Sequence, residues 1–512
     1  MKSPHILLLM ADQFRHDSYG SSPSSSFPES SRPSTPNLDA LGASGVRLSN
    51  LYSSTPTCTP SRAGLLTGKS PWNHGMLGYD EGTNCQKYTA TLAGELSSAN
   101  YSTHVIGKDH FGTSSDGSPV TQGYQNLLLY DGLTEEFDDY DQFFADVVGP
   151  DVNPLQSGNL TWNCWNGTSY DFAEEVHPTR WTADQAAKVI DEFDFDGDES
   201  LFLKVSFHRP HSPYDPPQRL FDKYNSPDFD IPERILCQED EKEEECWELK
   251  YYANYTSDDG ASAPPEMMNG DPGASASRLA RASYFGSIEF VDEGVGIVLD
   301  ELKGKGVYDD MVVIFISDHG DMNGDHYMWR KGYPYDGASK VPGMIKWPAS
   351  IEDDVKFDKG SVMNQVVELR DVAPTIWDFA GIIDDVMSKD PMIDGKSMIP
   401  LLVDKDAKLR DHIDLEHNQG NGGPMHFNAV TDGVTKFVFY PDDGRELLFH
   451  LDVDPDERFD VSKRPEEKDA LDQWRQKMIE RFQKDGRGEQ WVKDGQLVKR
   501  GSIPHSPNFP CQ

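Results

Sequence analysis

The chain has 512 residues and carries 87 acidic against 47 basic side chains, a formal net charge of −40 at pH 7. Such an excess of carboxylates excludes DNA, RNA and anionic membrane surfaces as partners, because each would repel it. The length calls for one large domain with a smaller one beside it, and no stretch reaches the roughly 20 apolar residues of a membrane span.

Pro4 to Met10 is a short, unbroken apolar run, the pattern of a strand buried on both faces, and it ends in Ala11-Asp12-Gln13. A Ser/Pro-rich loop follows to Pro36, then a short helix from Asn37 and a strand from Val46 to Tyr52. Thr57-Cys58-Thr59-Pro60-Ser61-Arg62 opens the next helix, with Pro60 suited to its first position and Cys58 just ahead of it. Thr91 to Asn100 reads as a helix, and Tyr101 to Ile106 as a strand running into Gly107-Lys108-Asp109-His110.

Residues 113 to 178 lack periodicity and read as an insertion lining a cleft, its aromatic residues Trp162, Trp165, Tyr170 and, just beyond, Trp181 suiting either sugar stacking or the core. Trp181 to Phe193 is helical, with Thr182 as its cap. Leu201 to Phe207 is a strand ending at His208-Arg209-Pro210-His211, and Asp215 to Ala274 is a long charged excursion. Ser277 to Lys303 forms a long amphipathic helix. Met311 to Ser317 is the clearest strand and ends at Asp318-His319. Beyond Leu402 the pattern changes to short strands at 427–431, 434–440 and 446–450 joined by Asp-Gly turns, followed by a helix over 465–484.

Strands alternating with helices predict an α/β fold: a large, mostly parallel sheet sandwiched by helices over residues 1–402, with a small antiparallel sheet and helix over 403–512. In open α/β sheets, ligands bind at the carboxyl ends of the strands. That rule brings Asp12, Lys108, His208 and Asp318 to one edge, beside Cys58.

Cys58-Thr59-Pro60-Ser61-Arg62 followed by Leu65-Leu66-Thr67-Gly68 resembles the signature of the type I sulfatases, members of the alkaline phosphatase-like superfamily. The resemblance implies that Cys58 is oxidised to formylglycine by a formylglycine-generating enzyme, and that the hydrated aldehyde attacks the sulfur of a sulfate ester. It assigns Asp12, Gln13, Asp318 and His319, with residue 58, to one divalent cation. Calcium is the family's usual ion, and the histidine admits manganese or magnesium. It implies that Arg62, Lys108 and Lys331 bind the sulfate, that His110 takes a proton from the formylglycine hydroxyl, and that His208 serves the leaving group, with His211 as its rival. His74, His211 and His417 are candidate substrate contacts. Asp321, Asp325 and His326 are read as fixing loops.

The expected substrate is an anionic sulfated small molecule or saccharide, a sulfated carbohydrate first and aryl sulfates also, held in a cationic pocket inside an acidic exterior. Asp12-Gln13 and Asp318-His319 also resemble the phosphonate monoester hydrolases of the same superfamily, which leaves a phosphonate monoester or phosphodiester hydrolase as the alternative.

Of the six cysteines, Cys58, Cys85, Cys164, Cys237, Cys246 and Cys511, none forms a CxxC pair, which argues against zinc. Cys237 and Cys246 flank an acidic run and could close a loop. The first ten residues make a poor signal peptide, whereas sequons at Asn100, Asn159, Asn166 and Asn254 fit a secreted or secretory-pathway protein.

Overall fold

The computed structural model describes residues 3–79, 87–114, 117–132, 138–154, 160–161, 163–236, 266–419 and 425–511. At its centre lies β1 (Ile6–Asp12), every residue of which is buried. Its side chains alternate across the sheet, so Ile6, Leu8 and Met10 join one apolar cluster and Leu7, Leu9 and Ala11 join the other. A strand with a core on each side must be apolar throughout, which is why it lacks alternation in the sequence.

Around it stand β2 (Val46–Tyr52), β3 (Tyr101–Gly107), β4 (Asn126–Leu129), β5 (Ser200–Pro210), β6 (Val312–Ser317), β7 (Lys340–Lys346), β8 (Ser361–Met363) and β9 (Val367–Glu368). The order is β4-β3-β5-β1-β6-β7-β2-β8, with β9 also paired to β2. All neighbours are parallel except β7, which runs antiparallel to both β6 and β2. The sheet is therefore mixed and mostly parallel.

One face is covered by α1 (Pro36–Ser44), the helix Pro178–Glu192 and the long helix Ala274–Gly304, which contribute Leu38, Ile190 and Leu299 to one cluster. The other face carries α2 (Cys58–Thr67), the helix Leu92–Ser98 and the helix Val372–Phe379, through Leu65, Leu96 and Trp377. A second sheet, antiparallel, packs its strands Ile413–Asn418, His426–Thr431, Thr435–Tyr440 and Arg445–His450 in sequence order, with the helix Lys468–Lys484 against it. Among the described residues, no helix is long and apolar enough to cross a membrane.

The structure moves several expectations. Helix α2 starts at Cys58, because the Ser61 amide donates to the Thr57 carbonyl and makes Thr57 the N-cap. Pro60 thus falls at the third helical position, where its missing N–H still costs nothing. The helix expected from Trp181 starts at Pro178, capped by the His177 ring, which accepts from Thr179 N, rather than by Thr182. Trp165, Tyr170 and Trp181 are buried in apolar clusters, so they belong to the core and not to a sugar platform. The insertion contains strand β4, whose four residues are too few for a readable period. His417 stands on the strand Ile413–Asn418. Trp162, Cys85 and the Cys237/Cys246 pair lie outside the described residues; Cys511 is disulfide-bonded, and Cys58 and Cys164 are free.

Candidate active site

The carboxyl ends of β1, β3, β5 and β6 meet the N-terminus of α2 at Cys58, whose side chain is only 2% exposed. Around Sγ stand Lys331 Nζ at 2.8 Å, His319 Nε2 at 3.3 Å, Asp12 Oδ2 at 3.9 Å and Lys108 Nζ at 4.0 Å. His110 and His211 stand close enough to the same sulfur to act on it. Burial opposes a thiolate here, yet Lys108, Lys331 and His319 outweigh it and pull the Cys58 thiol well below the ordinary range. The pocket is built to hold negative charge at this atom.

One ligand atom from each of Asp12, Cys58, Asp318 and His319 lies within 4.8 Å of the others, and all four residues are buried. Asp12 Oδ1 and Gln13 Oε1 are buried without a hydrogen-bond partner. Two bare oxygens in a closed site are what a cation would satisfy. His319 Nδ1 donates to the Gly320 carbonyl at 2.9 Å, which turns Nε2 toward Asp12 Oδ1 at 3.5 Å. Gln13 sits at φ 67° with its amide donating to Asp321 Oδ2 at 2.6 Å. The donor set fits a divalent cation, and oxygen in place of sulfur at residue 58 would make it a hard set. Burial alone would raise the Asp12 carboxyl; Lys108, His211 and Lys331 reverse this and hold it below the usual carboxylate range.

Arg62 ties the centre together. Its Nε donates to Asp318 Oδ2 at 2.9 Å, its Nη2 faces Asp318 Oδ2 at 2.9 Å and Asp12 Oδ2 at 3.3 Å, and its Nη1 reaches Lys108 O at 2.8 Å and Ser206 Oγ at 3.2 Å. Arg62, expected to bind the sulfate, here faces the carboxylates of Asp12 and Asp318. Lys108 Nζ pairs with Asp12 Oδ2 at 2.5 Å.

Two loops aim the remaining cations. Gly332, at φ 90°, donates its amide to the Pro56 carbonyl at 2.8 Å and so clamps the Lys331 loop onto the segment entering α2. His110, at φ 58°, is held by Asp131 Oδ1, which accepts from the Asp109 and His110 amides at 2.8 and 2.9 Å. Asp131 lies in the unpatterned insertion, where nothing in the sequence signals it.

Asp321 fixes the loop after β6, accepting from the Asn323 and Arg330 amides at 2.8 and 2.9 Å. Asp325 is paired with Arg15 and Arg281, and His326 stacks on Tyr335. All three are loop-fixing groups. His74 stands apart: its Nδ1 accepts from Met76 N, and the charges facing it are Lys69 and Arg370. His417 is buried near Gly332, with Nδ1 on the Met425 carbonyl and its electrostatic neighbour His319 in the centre.

A family model described as Sulfatase matches residues 4–382, and one for the C-terminal part of N-sulphoglucosamine sulphohydrolase matches 324–484. An arylsulfatase of Clostridium perfringens is 33% identical over 97% of this chain and 97% of its own length. The chain belongs to the sulfatase family. It is a hydrolase of sulfate esters. A choline-sulfatase of Rhizobium meliloti is 28% identical to this sulfatase, over 90% of the chain and 83% of the relative. Among solved structures, a phosphonate monoester hydrolase of Agrobacterium radiobacter shares the fold at TM-score 0.73 and 21% identity, covering 97% of this chain and 99% of that one. A protein solved with D-glucosamine-2-N,6-O-disulfate does so at TM-score 0.71 and 18% identity, over 95% and 99%.

Proposed function

We propose that this sulfatase hydrolyses the sulfate ester of a small anionic molecule or saccharide through a formylglycine at position 58, assisted by one divalent cation. The observation that carries the reading is the crowding of Lys331, Lys108, His110, His211 and His319 around one buried sulfur. A cysteine kept for packing alone needs none of these groups.

Oxidised by a formylglycine-generating enzyme and hydrated, residue 58 would offer two hydroxyls, one to attack sulfur and one to expel the product. The cation, held by Asp12, Gln13, Asp318, His319 and residue 58, would polarise the sulfate and favour the ionised hydroxyl. Calcium is the first candidate, with manganese and magnesium as alternatives. Lys331 and Lys108, already at the sulfur, bind the equatorial oxygens as negative charge grows there. His110 takes the proton from the second hydroxyl. His211, whose ring acts on residue 58, is our candidate ahead of His208 to assist the leaving oxygen, delivering there a proton it has first taken up. Arg62 keeps Asp12 and Asp318 aligned.

Two measurements test this. Mass spectrometry of the peptide carrying residue 58 separates aldehyde from thiol, and a thiol in active enzyme sinks the mechanism. Turnover of an aryl sulfate against an aryl phosphonate addresses the alternative, which Gln13, His319 and the shared fold keep in play; preference for the phosphonate overturns the choice of sulfate. The acyl or sugar context of the substrate follows from assays on glucosamine sulfates, suggested by the protein solved with the disulfated sugar.

A further inference from the structure

The segment Ser206 to Asp215 carries two buried histidines whose rings meet edge-on at 4.9 Å and whose hydrogens are set oppositely. His211 Nδ1 lies 2.7 Å from the Ser212 carbonyl oxygen. A carbonyl only accepts, so Nδ1 carries the hydrogen and Nε2 is left as a bare acceptor. His208 Nδ1 lies 2.8 Å from Arg209 Nη1. A guanidinium only donates, so this nitrogen must be bare and the hydrogen must sit on Nε2.

Arg209 is itself immobilised. Its Nε and Nη2 form a fork on Asp215, at 2.7 and 3.1 Å, and His177 Nε2 stands 3.8 Å from the same carboxylate. His208, Arg209, Asp215 and His177 are each at most 1% exposed, so water does not compete for these bonds. The Tyr130 ring packs 5.2 Å from His208 on another side.

We propose that Arg209, braced by Asp215, locks His208 in the neutral Nε2–H form, making it a fixed hydrogen-bond donor to the bound sulfate and taking it out of proton transfer. This rests on the sulfatase reading for the identity of the anion, but not for the tautomer. Protonating His208 would drive an N–H against the Arg209 N–H. Burial, with Lys108, His211 and Arg209 nearby, likewise holds its imidazole well below the ordinary histidine range. The division of labour follows. His208 only donates, and Arg209 is a positioning residue that touches no substrate.

The test is histidine-selective 15N labelling of the full chain, with the His208 signals assigned by their loss in His208→Gln. The expected pattern in the wild type is a pyridine-like Nδ1 and a pyrrole-like Nε2, lost in Arg209→Met. A pyrrole-like Nδ1 or an imidazolium in the wild type overturns the proposal, as does an unchanged pattern in Arg209→Met. Kinetics supply the second arm. Glutamine puts an amide N–H near Nε2, so His208→Gln should retain kcat/KM to within about tenfold, whereas His208→Phe should lose about 10²-fold or more, the usual effect of removing one transition-state donor. Equal losses in the two folded variants overturn the donor role. The NMR arm needs no turnover. Absence of sulfate-ester hydrolysis by the wild type would therefore count against the sulfatase reading and be distinct from a wrong tautomer.

Discussion

Replacing Arg62 by methionine should destabilise the metal-free protein and enlarge the stabilisation it gains from metal. The side chain is 1% exposed and bridges Asp12 and Asp318, both fully buried. Asp12 keeps Lys108 at 2.5 Å, but Asp318 then keeps the Gln13 and His319 amides on Oδ1, with the His319 ring 3.8 Å away. Breaking a buried pair by removing one partner costs about 3–5 kcal/mol. The orphaned Lys108 carbonyl and Ser206 hydroxyl add about 1 kcal/mol each. A loss of roughly 5–7 kcal/mol is a large share of the 5–15 kcal/mol that typical proteins have. A divalent ion offsets part of it, because it neutralises the same two carboxylates and no longer competes with a guanidinium. The assay is urea denaturation in chelator and then in excess calcium, on wild type, Arg62→Lys and Arg62→Met. Lysine keeps the charge but loses the fork and should fall between them. Equal midpoints in chelator, or an equal calcium-induced shift in all three, would refute the reasoning.

Two further expectations concern groups outside the reacting centre. His74 is buried and neutral, its pKa lowered to about 3 by burial and by Lys69 and Arg370. The unfolded chain takes up its proton first, so the stability His74 contributes is complete above about 6.5 and is lost toward pH 3, at about 1.4 kcal/mol per unit. His74→Asn keeps an acceptor for Met76 N and should flatten that acid limb in pH-dependent denaturation; an unchanged slope contradicts it. Asp131→Ala strands the Asp109 and His110 amides, at about 1–3 kcal/mol each, and releases His110 from its left-handed backbone. Urea denaturation and kcat should both register the loss, and Asp131→Asn, which keeps an acceptor, should restore most of it.

The frame of the fold and the centre of the site were legible in the sequence because both rest on strong local patterns. β1, β5 and β6 are unbroken apolar runs, and each ends at a polar residue that a parallel sheet must deliver to one edge. Cys58, Asp12, Lys108, Asp318, His319 and Lys331 follow from that edge rule and the motif together. What stayed hidden is held by contacts distant in sequence. Asp131 reaches His110 from an insertion without periodicity. The charge of Arg62 was visible in the sequence; its contacts to Asp12 and Asp318 were not. The His208 and His211 tautomers depend on which neighbour supplies the third atom, Arg209 or the Ser212 carbonyl, and residue spacing carries no information about that. The aromatic residues of the insertion were ambiguous for the same reason, since stacking and core packing select the same residue types.

The charge distribution makes the last prediction. A net charge of −40 opposes an anionic substrate everywhere except in the pocket, where Lys108, Lys331 and Arg62 outnumber Asp12 and Asp318. The two effects respond oppositely to salt, so magnitude decides the sign. Spread over a sphere of about 30 Å radius, that charge repels a monoanion by about 5 kcal/mol unscreened. Salt at about 0.1 M, with a Debye length near 10 Å, reduces the repulsion to on the order of 1 kcal/mol. The pocket cations are buried and paired, and salt screens them far less. Screening therefore relieves repulsion more than it weakens capture. For an aryl sulfate, kcat/KM should rise several-fold as sodium chloride goes from about 0.02 to about 0.5 M, while kcat at saturation stays nearly level. A kcat/KM that falls with salt would mean that the pocket's field reaches beyond the acidic shell and steers the substrate in.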